Sequence, residues 1–354
     1  MSRHPQFHTL QVSAIDRLTD DAVALTFAVP ADLAADYAFA PGQHVVVRCL
    51  AAGDDARRTY SLCAAPGVLR IAVKHVAHGV FSGHALAGLG LGDDVDVMTP
   101  MGRFTTVVDV SHERHRAAIV AGSGITPVLS ILSSTLAAEP ASRFTLIYGN
   151  RAAESVMFLD ELADLKDRYP DRLVVFHVLS REVRDSPLLS GHLDKAKIDE
   201  LLDIAMQPAS VDEWFLCGPG DVIDAARASL RDHGVADDAV RFELFHVATG
   251  QPAAATAAVA NSSSADVTIM LAGRSTRVVV GPGQDVLHVV MTARPDVPYG
   301  CTNGMCGTCR ARVVEGRVEM HHCYALDQAE IDAGFVLTCQ ARPRTDRVVL
   351  DYDA

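Results

Sequence analysis

The sequence predicts a multidomain fold: an antiparallel β-barrel, an α/β domain on a parallel sheet, and a small α+β domain beyond a linker. Three observations carry this. From Phe7 to about Val110 the apolar runs are short, β-rich and separated by Gly, Pro and Asp. From about Ala117 compact apolar runs alternate with helical patterns. After a stretch rich in Ala, Ser and Thr, short mixed strands surround a single helical segment. The expected boundaries are 1–111, 112–245, a linker at 246–265, and 266–354. A chain of 354 residues is long for one domain, so this division agrees with its length.

The barrel rests on six runs: LQVSAI, VALTFAV, HVVVRCL, TYSLCA, LRIAVKHV and DVDVMTP. Short strands at this spacing, punctuated by turn residues, suit a small antiparallel barrel. The α/β domain rests on AAIVAG, FTLIYG, LVVFHVLS, WFLCGP and VRFELF, with helical patterns such as Glu154 to Tyr169 and Asp221 to His233 between them. Alternating β and α predicts a parallel sheet clothed on both faces, which binds ligands at the carboxyl ends of its strands. In the last domain VTIMLAG and STRVVVGPG read as a hairpin. A helix from Asp285 to about Ala293 follows, then a Gly-rich loop, a second hairpin at about Val313 to Met320, a short helix near Gln328 to Ala333, and a last strand VVLDY.

Composition narrows the function. The net charge of −13 argues against nucleic acid and anionic membrane as partners. From Asp266 onward nine Arg face eleven Asp plus Glu, a balance of −2, so most of the acidity lies in the first two domains. Met1 to Leu18 has no apolar core of a signal peptide. The longest apolar run, Ala117 to Leu132, is broken by Gly, Pro, Ser and Thr and reads as a strand entering a helix rather than a membrane span. Eight Cys crowd toward one end of a chain without a leader, which suits a reducing, cytoplasmic setting and a metal or cluster site.

Cys301, Cys306 and Cys309 stand in a C-x4-C-x2-C loop, with Cys339 twenty-nine residues later. This is the spacing of a plant-type [2Fe-2S] site. Three thiolates must converge from one tight loop with amides aimed at the sulfurs, and Gly300, Gly304 and Gly307 allow positive φ there. Cys339, in the run FVLTCQA, is expected to close the site from a strand. Structural zinc draws on paired C-x2-C or Cys/His sets instead. Cys323 is a spare thiol, and Glu319 with His322 is a chance E-x-x-H, since a di-iron bundle needs two such pairs and two further Glu.

Two weaker motifs have coherent chemistry. In Arg58-Thr59-Tyr60-Ser61 a guanidinium can grip phosphate, a Tyr on the same face of the strand can cover a flat ring, and a hydroxyl can reach a ring nitrogen. Gly79-Val80-Phe81-Ser82 can offer amides and a hydroxyl to the same phosphates, and Lys74 just before it is placed with them. The alternative is an ordinary barrel strand with an exposed Arg and a core Tyr. Gly122-Ser123-Gly124-Ile125-Thr126-Pro127 is a Gly-rich strand-to-helix turn suited to a pyrophosphate. Asn150-Arg151, Ser180-Arg181 and Cys217-Gly218-Pro219 mark three more strand ends where the sheet should bind its ligand. Each alone reads equally as a plain turn. Ser180-Arg181 can hold an extra phosphate, which favours NADPH over NADH.

With these residues in place, the first 245 residues resemble the ferredoxin–NADP⁺ reductase family, and the last ninety resemble plant-type ferredoxins of β-grasp fold. AVALTFAVP, FAPGQH, AGSGITPVLSI, FTLIYGNR and FVLTCQARP are similar to the reductases of phenylacetyl-CoA epoxidases. The resemblance implies FAD rather than FMN, a [2Fe-2S] cluster and NADPH. It implies that Arg58, Gly79 and Ser82 hold flavin phosphate, that Tyr60 stacks on the flavin ring with Ser61 near it, and that Thr126 lies between flavin and nicotinamide. Gly122, Gly124, Ser180 and Arg181 would hold the dinucleotide. Cys217, Gly218 and Pro219 would border the nicotinamide, with Glu243 and Phe245 closing the domain near the flavin; Phe245 runs into the linker instead of ending the chain. Tyr60, Ser61, Thr126 and Cys217 would be the catalytic residues.

The expected function is transfer of electrons from NADPH through flavin and cluster to the di-iron oxygenase component of a multisubunit complex acting in phenylacetate degradation. A nicotinamide gives two electrons at once and a cluster takes one, and a flavin joins the two. A tether of this length spans about 25 Å as a flexible chain. The rival readings are a reductase for an aromatic-ring dioxygenase or a steroid hydroxylase, a stand-alone flavin or quinone reductase, and a zinc-stabilised binding module.

Overall fold

A computed structural model describes residues 5–49, 55–246 and 264–354. Most of the expected linker, 247–263, lies outside the described residues.

The first sheet holds β1 (Phe7–Thr19), β2 (Ala22–Ala28), β3 (His44–Cys49), β4 (Ala56–Ser61), β5 (Arg70–Lys74) and β6 (Asp94–Met98), in the order β4-β3-β6-β1-β2-β5. β2 runs antiparallel to both β1 and β5, and β3 antiparallel to β6. A bridge between Leu62 and Ile71 joins the two ends of that order and curls the sheet into a barrel. Alternation places Leu10, Val12, Leu25, Val45, Val47, Ile71 and Val97 inside. Helix α1 (Val80–Ala87) covers one mouth with Phe81 and Ala85 turned inward.

The second sheet holds β7 (His115–Ala121), β8 (Arg143–Asn150), β9 (Leu173–Leu179), β10 (Glu213–Pro219) and β11 (Val240–His246), all parallel, in the order β11-β10-β7-β8-β9. Between them run α2 (Ile125–Ala138), α3 (Leu159–Arg168), α4 (Lys195–Ala205) and α5 (Gly220–Asp232). β7 is buried along five successive residues, as a parallel strand covered on both faces must be. Helix α3 carries Asp160 and Glu161 in its first turn and Lys166 and Arg168 in its last, matching its dipole. In α4 the Asp194 carboxylate accepts from the Lys197 amide at 2.9 Å, a cap of about 1 kcal/mol. One face of the sheet packs α2 in a core that extends to Ala22, Ala24 and Ala72 of the barrel, and Ser130 Oγ donates to the Ala64 carbonyl at 2.6 Å. The strand order reverses between β7 and β10, so their carboxyl ends form the crevice where such sheets bind ligands.

The third sheet holds β12 (Ala265–Leu271), β13 (Arg274–Val280), β14 (Arg310–Glu315), β16 (Phe335–Leu337) and β18 (Arg347–Asp351), in the order β13-β12-β18-β14-β16, with β12 and β18 parallel. Helix α6 (Val286–Ala293) packs on it through Val286, Leu287 and Val290. A short α7 (Gln328–Asp332) starts at a capping box of Asp327 and Glu330. This is the α+β arrangement the sequence predicts, with two corrections. The expected hairpin at Val313 to Met320 does not form: β14 pairs with β16 and β18, while β15 (Val318–Met320) pairs with β17 (Ala341–Pro343). A register shift in β14 between Val313 and Glu315 turns the chain away, and Gly316, at φ 84°, packs against the Arg347 carbonyl, where a Cβ would collide. Cys339, expected on a strand, lies in the turn between β16 and β17.

The described residues divide into two compact units, one built on most of the first two sheets and one on the third, which also takes in Phe7 of β1 and Arg57–Thr59 of β4.

Candidate redox site

The crevice of the second sheet is assembled from glycines. Gly122 lies at φ 55°, and Gly124 sits so close to the end of β10 that a Cβ would collide with the Cys217 carbonyl oxygen. Gly218, at φ 152°, approaches Ala121 from the other side. The start of α2 is thereby laid against the end of β10. Thr126 is buried, and its hydroxyl donates to the Ser123 carbonyl at 3.0 Å, closing this turn. Cys217 is fully buried; burial and then the nearby Glu243 carboxylate push its thiol well above the usual range, so it stays protonated and neutral.

Past the ends of β8 and β9 the chains stay in register. The Ser180 amide donates to the Asn150 carbonyl at 2.9 Å, and that of Arg181 to the Arg151 carbonyl at 2.8 Å. Arg151 and Arg181 thus leave neighbouring strand ends together. Both are exposed, and neither has a carboxylate within ion-pair reach among the described residues. The Asn150 side-chain nitrogen is buried with no hydrogen-bond partner among them. An orphaned buried amide beside two unpaired guanidiniums fits a polar, anionic ligand.

On the barrel side, the Tyr60 and Phe81 rings lie 5.5 Å apart at 48°. Arg58 is exposed on β4 and donates to the Arg57 carbonyl at 2.7 Å. Ser61, at the end of β4, is buried, and its hydroxyl lies 3.3 Å from Glu243 Oε2. Glu243 stands opposite Cys217 in the β10–β11 register, and its Oε1 is 3.8 Å from Nδ1 of the buried His44. Ser61, Cys217 and Glu243 therefore come together at the seam of barrel and sheet, and Phe245 packs on the sheet core two residues on. His44 is the member sequence reasoning missed: it lies in FAPGQH, and nothing in that run marks it as facing a carboxylate.

Two expected phosphate ligands are engaged elsewhere. Ser82 Oγ accepts from the Val76 amide at 3.1 Å and so shapes its own turn. Gly79 is required there, since a Cβ would collide with that hydroxyl, and it opens α1 with no acidic residue in the first turn. Lys74 is drawn to Asp21, 3.3 Å away. The amides at the start of α1 and the Arg58 guanidinium remain suited to phosphate.

In the third sheet's unit, Thr302, Gly304 and Gly307 adopt φ of 58°, 76° and 71°. Gly300, expected to share this role, does not; Thr302 does, held by a hydrogen bond from its hydroxyl to the Cys301 carbonyl at 2.7 Å and one from Gln340 Nε2 to its own carbonyl at 2.9 Å. The loop aims the amides of Asn303, Met305 and Cys306 at Cys301 Sγ, each at 3.4 Å, and the Cys301 amide at Cys306 Sγ at 3.4 Å. No three His, Cys, Asp or Glu side chains among the described residues group around a single metal ion. The sulfurs meet as two pairs. Cys301 is raised by its hydrogen bond with Cys306 and then by burial, and Cys309 by its bond with Cys339 and then by burial, while Cys339 is lowered by that same bond. Two thiol pairs wrapped in amide donors fit two irons bridged by sulfide. Cys323 is a half-buried free thiol outside both pairs, and Glu319 is spent on an ion pair with Arg344.

The fold and these residues define a flavin- and nicotinamide-dependent reductase that ends in an iron–sulfur domain. Family profiles cover the chain in the same order: an oxidoreductase FAD-binding domain at residues 9–106, an oxidoreductase NAD-binding domain at 118–228 and a 2Fe-2S iron-sulfur cluster binding domain at 269–344. The chain is 39% identical over 351 residues to a subunit of the 1,2-phenylacetyl-CoA epoxidase of Escherichia coli (strain K12), covering 98% of each. It is 34% identical to the ferredoxin reductase component of 3-ketosteroid-9-alpha-monooxygenase of Rhodococcus rhodochrous, over 97% of this chain and 96% of that one. Its fold matches that of phthalate dioxygenase reductase with a TM-score of 0.59 at 24% identity, covering 98% of each chain. The chain belongs to the family of oxygenase reductases that carry a ferredoxin–NADP⁺ reductase-type core and a C-terminal plant-type [2Fe-2S] domain. It is an oxidoreductase using FAD, a nicotinamide dinucleotide and a [2Fe-2S] cluster to deliver electrons to an oxygenase component. Among the described residues no helix is long and apolar enough to cross a membrane.

Proposed function

We propose that this chain is the reductase of a phenylacetyl-CoA epoxidase, draws on NADPH, and serves a di-iron oxygenase in the cytoplasm, with 1–111, 112–245 and 266–354 as its flavin, nicotinamide and cluster domains. The observation that carries the reading is the 39% identity to the epoxidase component over 98% of both chains, against 34% for the steroid monooxygenase component. The paired, carboxylate-free Arg151 and Arg181 support NADPH, whose extra phosphate needs charge-assisted donors.

The chain's own residues do three things. Arg58 and the amides at the start of α1 bind phosphate. Tyr60 and the neutral Cys217 thiol supply walls for flat rings, one from each side of the seam, and Thr126 keeps the turn between them closed. Ser61 and Glu243 provide a hydroxyl and a carboxylate 3.3 Å apart, a place to hold a proton beside the rings. Flavin bound there supplies the conversion of a two-electron donor into single electrons, and Cys301, Cys306, Cys309 and Cys339 would hold the cluster that receives them.

Anaerobic reconstitution tests the choice of partner. The purified reductase is combined with phenylacetyl-CoA epoxidase components, with a 3-ketosteroid monooxygenase and with an aromatic-ring dioxygenase, each with NADPH or NADH. Turnover is expected with the epoxidase and with NADPH, and to disappear when this chain is omitted. Faster turnover with the steroid enzyme would move the assignment there, the reading that the 34% relative favours.

A further inference from the structure

The second sheet has a feature at the opposite end from its crevice. Where Arg114 precedes β7, Glu213 opens β10 and Arg241 follows the first residue of β11, the chain leaving the barrel passes beneath and borders an open pocket of about 540 Å³. Gly102, Arg103, Thr105, His112, Arg114 and Arg241 are among its walls, with Glu213.

The charges there do not cancel. Glu213 Oε2 accepts from Thr106 Oγ1 at 2.8 Å, Arg116 Nε at 2.7 Å and Arg114 Nη1 at 3.4 Å, and its Oε1 accepts from Arg241 Nη1 at 2.8 Å. Oε2 is thus crowded by three donors while Oε1 takes one. Glu139 takes Arg116 from the other side at 2.6 Å. Arg114, Arg116 and Arg241 thus share two carboxylates. Arg116 is fully buried and spent within this cluster. Arg114 gives Glu213 one long bond, and Arg241 uses Nη1 alone, the same nitrogen donating to the Thr105 carbonyl at 2.7 Å. Each guanidinium carries five donors, so most of those on Arg114 and Arg241 are left for the pocket. This is an excess of positive charge in a chain whose net charge is −13.

We propose that this pocket is an oxyanion site that takes the phosphate group of a small ligand, separate from the nicotinamide and flavin sites. A tetrahedral phosphate presents oxygens to Arg114 and Arg241 on different walls at once, whereas a planar carboxylate offers two in one plane; His112 is taken up by Glu139, 3.1 Å from its Nδ1. The volume exceeds that of a bare ion and accommodates an organic phosphate.

Titration calorimetry of the full-length protein, with its cofactors bound and saturating NADP⁺ present to occupy the other phosphate ligands, tests this with inorganic phosphate at constant ionic strength. One phosphate per chain is expected, bound more tightly than acetate. Arg241→Gln and Arg114→Gln should each weaken it about tenfold or more. Arg114 lies at the mouth and leaves the Arg116–Glu139 core intact, so that variant stays folded and decides the matter. Absence of binding at millimolar phosphate, binding undiminished in Arg114→Gln, or acetate binding as tightly as phosphate would overturn the proposal.

Discussion

Arg116 shows how one residue can hold two elements together. It is fully buried at the start of β7, with Glu139 beyond the end of α2 and Glu213 on β10 as its partners, and it also donates to the Val107 carbonyl at 3.1 Å. Removing one member of such a group strands a buried charge and costs about 3–5 kcal/mol. Burial would push the Glu139 carboxyl up, but hydrogen bonds from Arg116 and Ser142 outweigh it and hold the group down at about 2, against an ordinary 4.5. A depressed carboxylate adds stability that is complete above its unfolded value and lost as pH falls through the folded one. The contribution, roughly 3 kcal/mol, is therefore complete above pH 4.5 and disappears on acidification toward pH 2. The single tryptophan, Trp214, is fully buried beside Glu213 and reports on this region. Urea midpoints read from its fluorescence should fall across that window in the native protein. In Glu139→Gln they should start lower and fall less; an equal slope in both would refute the assignment.

At the level of elements, the junction of β7, α2 and β10 carries the binding crevice, and its geometry allows no side chain at Gly124. Gly124→Ala would drive a methyl into the Cys217 carbonyl, forcing α2 off the end of β10. The expected cost is about 2 kcal/mol or more in the α/β domain, together with a raised KM for the nicotinamide dinucleotide. The iron–sulfur absorption should be unchanged, because the cluster loop belongs to the other unit. An unaltered KM would show that the crevice lies elsewhere. This junction was legible in the sequence because a Gly-rich turn between a buried strand and a helix has few structural solutions. The cluster loop was legible for the same reason, in the fixed spacing of Cys301, Cys306 and Cys309. Other features were not. The turn that carries Cys339 and the missing β14–β15 hairpin depend on which strands pair, and local alternation is the same in either pairing. Thr302 takes a left-handed conformation through hydrogen bonds to Cys301 and Gln340, the second made by a residue thirty-eight positions away. The ion pair of Lys74 with Asp21 forms only once the β1–β2 turn brings the two together. His44 meets Glu243 only once the barrel closes on the sheet.

Over the whole molecule the redox groups form a series, and a series can be cut at one point. Apart from Arg58, the residues proposed for nicotinamide and flavin lie in one compact unit and the four cysteines proposed for the cluster in the other, each unit with a hydrophobic core of its own. Loss of one thiolate should therefore spoil the last carrier without disturbing the first two. In Cys306→Ser the amide of Cys301 loses its sulfur acceptor and the proposed cluster site loses a thiolate, while Tyr60, Ser61, Cys217 and Glu243 are untouched. Oxidation of the reduced nicotinamide dinucleotide with ferricyanide, a small acceptor that can take electrons at the flavin, should stay near the native rate. Delivery to the oxygenase should fall by roughly two orders of magnitude, since only the cluster hands on single electrons to a protein partner. Cys323→Ser is the matched control: its thiol lies outside both sulfur pairs, so iron content, ferricyanide rate and oxygenase turnover should all match the native protein. If Cys306→Ser still drove the oxygenase at the native rate, electrons would be leaving directly from the flavin, and the third domain would have a purpose other than conduction.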